Sequence, residues 1–173
     1  SLYGRRLLYQ AQRLARLQDS FESRLAPLRR DQMREYPLPD LAIDGVRFKG
    51  RADRIELLTD GRAVILDYKS GRSNSYRDSV QLSAYAIALE ETGVSVAGYA
   101  YLCHKDGSIY GHFADPKLAK IFGQGRKKTS LKDKIDEARS VLESMANGIA
   151  SGLFSPDYTS KSCRDCGYKA LCR

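Results

Sequence analysis

Apolar residues recur at helical spacing from the start of the chain. Leu7, Ala11, Leu14, Phe21, Leu25 and Leu28 fall three, four or seven apart, which predicts one helix with a core-facing stripe. Pro27 and the arginines after it predict its end. The pattern then changes to strands over residues 34–38 and 45–58, with Asp44-Gly45 as the turn between them. A second turn, Asp60-Gly61, leads into the apolar run Ala63-Val64-Ile65-Leu66. Residues 76–91 return to helical spacing, with Val80, Ala84, Ile87 and Ala88 on one face and Gly93 as the stop. Two more strands, 94–103 and 108–113, are joined across Asp106-Gly107, and a long helix follows over about 130–150. The order helix, strands, helix, strands, helix predicts an α/β fold, a central mixed sheet flanked by helices.

The chain has 173 residues, which fits one domain able to bury its own core without disulfide staples. Hydrophobic residues make up 42%, which argues against global disorder. No apolar run approaches the roughly 20 residues of a membrane span, and no secretory leader is visible, so the expectation is a cytoplasmic protein. The first residue is Ser rather than Met, which fits a fragment of something longer.

Net charge is +8 and unevenly spread. Residues 1–34 hold eight arginines (5, 6, 13, 16, 24, 29, 30 and 34) against Asp19, Glu22 and Asp31. A second basic stretch runs Arg126-Lys127-Lys128, followed by Lys132 and Lys134. Such clusters attract polyanions such as DNA, and equally suit a solvated helix face.

Side chains alternate faces along a strand, so Asp67 and Lys69 share a face with Ile65, and Asp53 shares one with Ile55 and Leu57. The turn at Asp60-Gly61 makes these strands neighbours. Two carboxylates and an ammonium are therefore expected together in a half-buried place. Such a group is expensive to bury unless its members serve one another or a cation. A hard divalent ion takes one or two carboxylates plus water and substrate phosphate. A nearby lysine can hold an attacking water or stabilise developing charge. The bland alternative is a salt bridge between Asp67 or Asp53 and Lys69 or Arg54. For Asp-x-Lys alone that alternative wins.

The surrounding residues change the balance. Gly50-Arg51-Ala52-Asp53-Arg54-Ile55, then Asp60-Gly61, then Ile65-Leu66-Asp67-Tyr68-Lys69-Ser70-Gly71, then Gln81-Leu82-Ser83-Ala84-Tyr85-Ala86 resembles the RecB-like branch of the PD-(D/E)XK nucleases. That branch includes the nuclease domains of RecBCD- and AddAB-type helicase–nucleases and the CRISPR-associated exonucleases. The resemblance runs from about Glu35 to Tyr101. It implies a restriction-endonuclease-like core and a Mg²⁺- or Mn²⁺-dependent deoxyribonuclease, exonucleolytic and acting in DNA repair or recombination. Asp53, Asp67 and the carbonyl of Tyr68 would be metal ligands, and Lys69 would position or activate water. Gln81 and Tyr85 match the Gln-x-x-x-Tyr motif, and their spacing of four puts them on one helix face. An ordinary amphipathic helix would explain the last two without the upstream motifs. Many members carry a metal-binding His before the first Asp. Here His104 and His112 both follow Lys69, so Glu22 and Glu35 are the upstream acids that could stand in.

Cys163, Cys166 and Cys172 spell C-x2-C-x5-C near the end of the chain. Grouped thiolates favour zinc or an iron–sulfur cluster over scattered free thiols. The spacing resembles the iron–sulfur staple of AddB-type subunits and CRISPR-associated exonucleases, which implies a [4Fe-4S] cluster in residues 160–173, with zinc as the alternative. A fourth cysteine lies upstream of the catalytic motifs in those relatives. None precedes Asp53 here, so the fourth ligand is either outside this sequence or Cys103, whose apolar strand favours a plain core residue.

The expected organisation is one nuclease domain over 1–173 with that tail. The expected partners are DNA and a helicase region or subunit, and no membrane. An AddB-type parent leads, with a stand-alone CRISPR-associated or phage exonuclease second. A catalytically inactive DNA-binding module and a zinc-stabilised interaction domain are the rival classes; the intact Asp53, Asp67 and Lys69 argue against the first, and the second leaves the catalytic string unexplained.

Overall fold

The computed structural model describes residues 2–125, 129–153 and 166. The element order is α1 (Leu2–Leu25), β1 (Arg29–Pro37), β2 (Leu41–Ile43), β3 (Val46–Phe48), β4 (Arg51–Leu58), β5 (Ala63–Lys69), α2 (Gln81–Glu90), β6 (Val96–Cys103), β7 (Ser108–Phe113), α3 (Pro116–Ile121) and α4 (Leu131–Ala150). Five strands form one mixed sheet in the order β1-β4-β5-β6-β7, and β2 and β3 pair as a separate ribbon. All neighbours are antiparallel except β5 and β6, which run parallel and are joined through α2. The expected mixed sheet flanked by helices is the observed architecture.

The alternation of side chains divides the core in two. Ile55, Ile65, Tyr99 and Tyr101 face α2 and α4, where they meet Leu82, Ile87, Leu131, Ile135 and Leu142. Leu58, Val64, Leu66, Ala100 and Leu102 face α1 and α3, where they meet Leu17, Phe21, Leu25, Leu118 and Phe122. Phe21 is fully buried with its ring 4.8 Å from that of Phe122. Helix α2 is apolar nearly all round because it lies between the sheet and α4, so Leu82, Ser83, Ala86 and Leu89 are buried along with the predicted face residues Ile87 and Ala88.

Five local expectations need correction. Of the predicted stripe only Phe21 and Leu25 are buried, and Leu17, which lies outside that stripe, joins them in the core. Leu7 is 49% exposed, Ala11 is exposed, and Leu28 lies beyond the helix in a single 3-10 turn. Strand β1 begins at Arg29 rather than 34, because Arg29 and Gln32 find the Glu56 carboxylate on the paired strand β4. The expected strand 45–58 is two strands, broken at Lys49-Gly50, and the Gly50 carbonyl accepts the Leu38 amide just past the end of β1. The helix expected from 76 begins at Gln81, preceded by a separate 3-10 turn over Ser73–Tyr76. Tyr76 stacks on Tyr101, and the Tyr101 hydroxyl accepts the Leu82 amide (3.3 Å), one of the donors a helix start leaves unpaired. Finally, α3 was not expected, although Asp115-Pro116 is a readable start signal. The Asp115 carboxylate caps the Leu118 amide (2.9 Å), and Pro116 occupies the first turn.

Candidate active site

The Asp60-Gly61 turn folds β5 back on β4, with Gly61 in the left-handed region (φ 85°). The register pairs Arg54 with Leu66 and Ile55 with Ile65. One further step sets Asp53 opposite Asp67, at the carboxyl end of β5. The ladder itself stops at Arg54. Beyond it the Asp53 side chain replaces the missing backbone partner, and Oδ2 accepts the Tyr68 amide at 2.8 Å. In an extended strand the N–H and C=O of one residue point to the same side, so the Tyr68 carbonyl is also directed toward β4. The Lys69 carbonyl points the other way and accepts the His104 amide at 3.1 Å.

Asp67 and Lys69 lie on the α2 face. Lys69 Nζ is 2.7 Å from Asp67 Oδ2 and donates to Gln81 Oε1 at 2.8 Å. Gln81 Nε2 donates to Asp67 Oδ1 (3.3 Å) and to the Tyr85 hydroxyl (3.0 Å). Gln81 is thus wedged between acid and amine with Tyr85 behind it. The first turn of α2 supplies Gln81, and its second supplies Tyr85. Tyr85 in turn lies against Gly50, where an added Cβ would come within 2.5 Å of the ring. The strand break at Gly50 leaves the space that this ring fills.

Asp67 is buried and Lys69 partly so. Burial lifts the Asp67 carboxyl above the usual range, and Asp53 adds to it. The hydrogen bond and charge of Lys69 oppose the rise without cancelling it. Burial disfavours the Lys69 ammonium, but its bond to Asp67 and the neighbouring charges outweigh burial and keep it protonated. Two carboxylates meet one ammonium here, so the centre has negative charge to spare in a half-buried place. Opposed carboxylates, a nearby backbone carbonyl and spare negative charge form an all-oxygen donor set that suits a hard cation such as Mg²⁺ or Mn²⁺. Among the described residues no third His, Cys, Asp or Glu joins them in a metal-binding group.

The upstream acids separate. Glu35 lines a small cleft with Asp53, Arg34, Arg54 and Tyr68. Its backbone is in the left-handed region (φ 48°), rare for a residue with a Cβ, and its carboxylate reaches Arg51 at 3.2 Å. Glu22 instead lies behind the sheet, where Arg54 Nη2 holds it at 2.7 Å. Arg54 and Glu56, both almost fully buried, also pair with each other, and Arg29 bonds both glutamates. Arg54 Nη1 donates to the Tyr68 hydroxyl at 3.2 Å. From the sequence, Arg54 has a place only in a salt bridge with Asp53 or Asp67, and the structure puts it in this network instead. The signal was legible, since Arg54 and Glu56 are charged residues on one face of a strand whose other face is Asp53, Ile55 and Leu57.

His112 is buried on β7 at the far edge of the sheet, beside the rings of Tyr99 and Tyr110. Cys103 is fully buried at the end of β6, and burial pushes its thiol up to about 12. Cys166 is exposed. Cys163 and Cys172 lie outside the described residues, as does the basic stretch Arg126–Lys128. Among the described residues no helix is long and apolar enough to cross a membrane.

Comparison with solved structures finds a match entitled "Crystal structure of SSO0001", at 15% identity and a TM-score of 0.49, covering 96% of this chain and 67% of that one. No curated protein gives a match. A family model described as the PD-(D/E)XK nuclease superfamily matches residues 3–173. With that match spanning almost the whole sequence, and a mixed five-stranded sheet flanked by helices beneath it, the chain belongs to the PD-(D/E)XK nuclease superfamily.

Proposed function

We propose that this domain is a Mg²⁺- or Mn²⁺-dependent deoxyribonuclease, an exonuclease of DNA repair or recombination. Membership of the superfamily supports nuclease chemistry. The single observation that carries the assignment to these residues is the linked set Asp53, Asp67, Lys69, Gln81 and Tyr85 around one end of β5.

In this reading Asp53, Asp67 and the Tyr68 carbonyl would hold the cation. When bound it would supply Lewis acidity and neutralise charge on the scissile phosphate. Lys69 holds the attacking water and stabilises the charge that develops on phosphorus-bound oxygens. Gln81 fixes the distance between Lys69 and Asp67, and Tyr85 fixes Gln81. Exposed Arg34, Arg51, Arg72 and Arg77 stand close in sequence to these groups and suit contacts with DNA phosphates. Nuclease assays on the wild type, Asp67→Ala and Lys69→Ala, with Mg²⁺ and with EDTA, test the reading. Equal activity in all arms would end it.

The RecB-like resemblance, with an AddB-type helicase–nuclease as parent, rests on the motif string around those residues. The organisation as one nuclease domain over 1–173 with a cluster-binding tail over 160–173 belongs to the same proposal. For that tail we propose a structural [4Fe-4S] cluster on Cys163, Cys166 and Cys172 plus one further ligand, with zinc as the second choice. Its support is the C-x2-C-x5-C spacing. Anaerobic purification with metal analysis and an absorbance spectrum decides it. Neither iron nor zinc at stoichiometric level would remove the proposal.

A further inference from the structure

We infer that Tyr76 and Tyr101 are positioning residues whose stacked rings fix the Lys69 ammonium at the reacting centre. This rests on Lys69 being the catalytic lysine proposed above. Lys69 Nζ lies 5.6 Å from the Tyr76 ring centroid and 5.7 Å from that of Tyr101. Both distances are within the roughly 6 Å over which a cation is drawn to the negative face of a ring. The rings stack on each other at 5.3 Å and 26°. An ammonium has three N–H donors. Gln81 Oε1 and Asp67 Oδ2 engage it on one side, and the rings face it on another. Without the rings, nothing in this set would stop the four-carbon stem from swinging about those two contacts.

Both rings are themselves locked. The Tyr101 hydroxyl donates to Ser79 Oγ (2.9 Å) and accepts the Leu82 amide, so the ring is anchored to the start of α2. Tyr76 is carried by the 3-10 turn over Ser73–Tyr76. Asp106, on the β6–β7 turn, clamps that turn by accepting both the Ser73 amide and the Ser73 hydroxyl at 2.9 Å. At Gly71 an added Cβ would overlap the Tyr76 hydroxyl, so the missing side chain makes room for the ring there. The sequence from Lys69 to Gln81 is thereby more than a connection. It brings one ring back over the amine that precedes it.

The experiment replaces Tyr76 in the full 173-residue protein with Phe, then with phenylalanines bearing one, two and three fluorines, and with Leu. Fluorination weakens the negative ring face with little change of shape. Tyr76→Phe should match the wild type. Turnover should then fall stepwise along the fluorinated series, and Leu should lose about fivefold or more. KM for DNA and the melting temperature should stay constant across the aromatic series. A second readout does not depend on activity. The Lys69 ε-protons should lie upfield in the NMR spectrum through ring currents and move downfield in Tyr76→Leu. Flat turnover across the series, or Lys69 shifts unmoved by Leu, would overturn the inference. Wild-type activity in Lys69→Ala would instead defeat the catalytic reading beneath it, so the two failures are distinguishable.

Discussion

Arg54 Nη2 lies 2.7 Å from Glu22 Oε2, so the strand that carries Asp53 is bolted from behind to helix α1. The same guanidinium bonds Glu56 beside it and the Tyr68 hydroxyl on β5. Arg54 is 1% exposed and Glu56 fully buried, so neither charge has water to fall back on. Removing one partner of such a pair is far more damaging than the pair is beneficial. Arg54→Met should destabilise the domain by about 3 kcal/mol in a denaturant titration. An unchanged unfolding midpoint would mean the network adds nothing to stability.

Glu22 makes that network sensitive to acid. Burial tends to raise its carboxyl, but the hydrogen bonds and charges of Arg54 and Arg29 outweigh burial and hold it below the ordinary value of 4.5. The unfolded chain therefore takes up a proton at a pH where the folded one refuses it. The stabilisation is fully present above 4.5 and is lost as pH falls through the lower folded value. Glu22 is partly exposed, so screening limits the effect, and Glu22→Gln should cost about 1–2 kcal/mol at neutral pH. The gap between variant and wild type should hold steady from neutrality to about pH 5 and close below it. A gap that widens on acidification would contradict the assignment.

These two residues also mark the limit of what the sequence made legible. Alternation along β4 and β5 put Asp53, Asp67 and Lys69 on the right face, because a tight turn fixes the register of a hairpin. The Gln81–Tyr85 spacing put both on one helix face for equally local reasons. What was hidden depends on partners distant in the chain. Arg29 and Gln32 fall between the predicted helix end and the predicted strand until Glu56 is seen opposite them. Tyr76 read as the start of a helix until Tyr101 claims its ring. Gly50 read as mid-strand until Tyr85 fills its place. In each case a tertiary contact overrode a correct local tendency.

Gly50 gives a test of how finely the site is built. Its missing side chain makes room for Tyr85, whose hydroxyl accepts from Gln81. Gly50→Ala should push the Tyr85 ring aside and loosen Gln81 from both Asp67 and Lys69. The ring can move, so stability should change by less than about 1 kcal/mol. Turnover should fall roughly tenfold, since misplacing a positioning group by a fraction of an ångström already weakens catalysis. Tyr85→Phe, which deletes only the acceptor, should show part of the same loss. Full activity in Gly50→Ala, measured as release of labelled nucleotides, would remove Tyr85 from the site.

The proposed cation site gives Asp67 opposite expected effects on stability with and without metal. The metal-free carboxylate is disfavoured by burial, with a contribution from the charge of Asp53, beyond what the Lys69 bond and charge offset. Asp67→Asn should therefore leave the metal-free protein as stable as the wild type, or more so. Saturating Mn²⁺ should raise the melting temperature of the wild type, by an amount equivalent to about 2.7 kcal/mol at a hundred times its dissociation constant. It should do nothing for Asp67→Asn. Equal Mn²⁺ shifts in both proteins would place the cation elsewhere.

The two described cysteines differ in environment, and that difference predicts which one a metal uses. Thiolate is the ligating form. Cys103 is enclosed by the core at the end of β6, and burial pushes its thiol up to about 12, far from conditions in which it would ionise. Cys166 is exposed and belongs to the C-x2-C-x5-C string. Cys166→Ala should lower the bound iron or zinc of anaerobically purified protein to background. Cys103→Ala should leave metal content and the absorbance spectrum unchanged, at a stability cost of about 1 kcal/mol for the small cavity. Loss of metal in Cys103→Ala would make it the fourth ligand. The end of β6 would then have to open to release it, since its present packing offers no route to an ion.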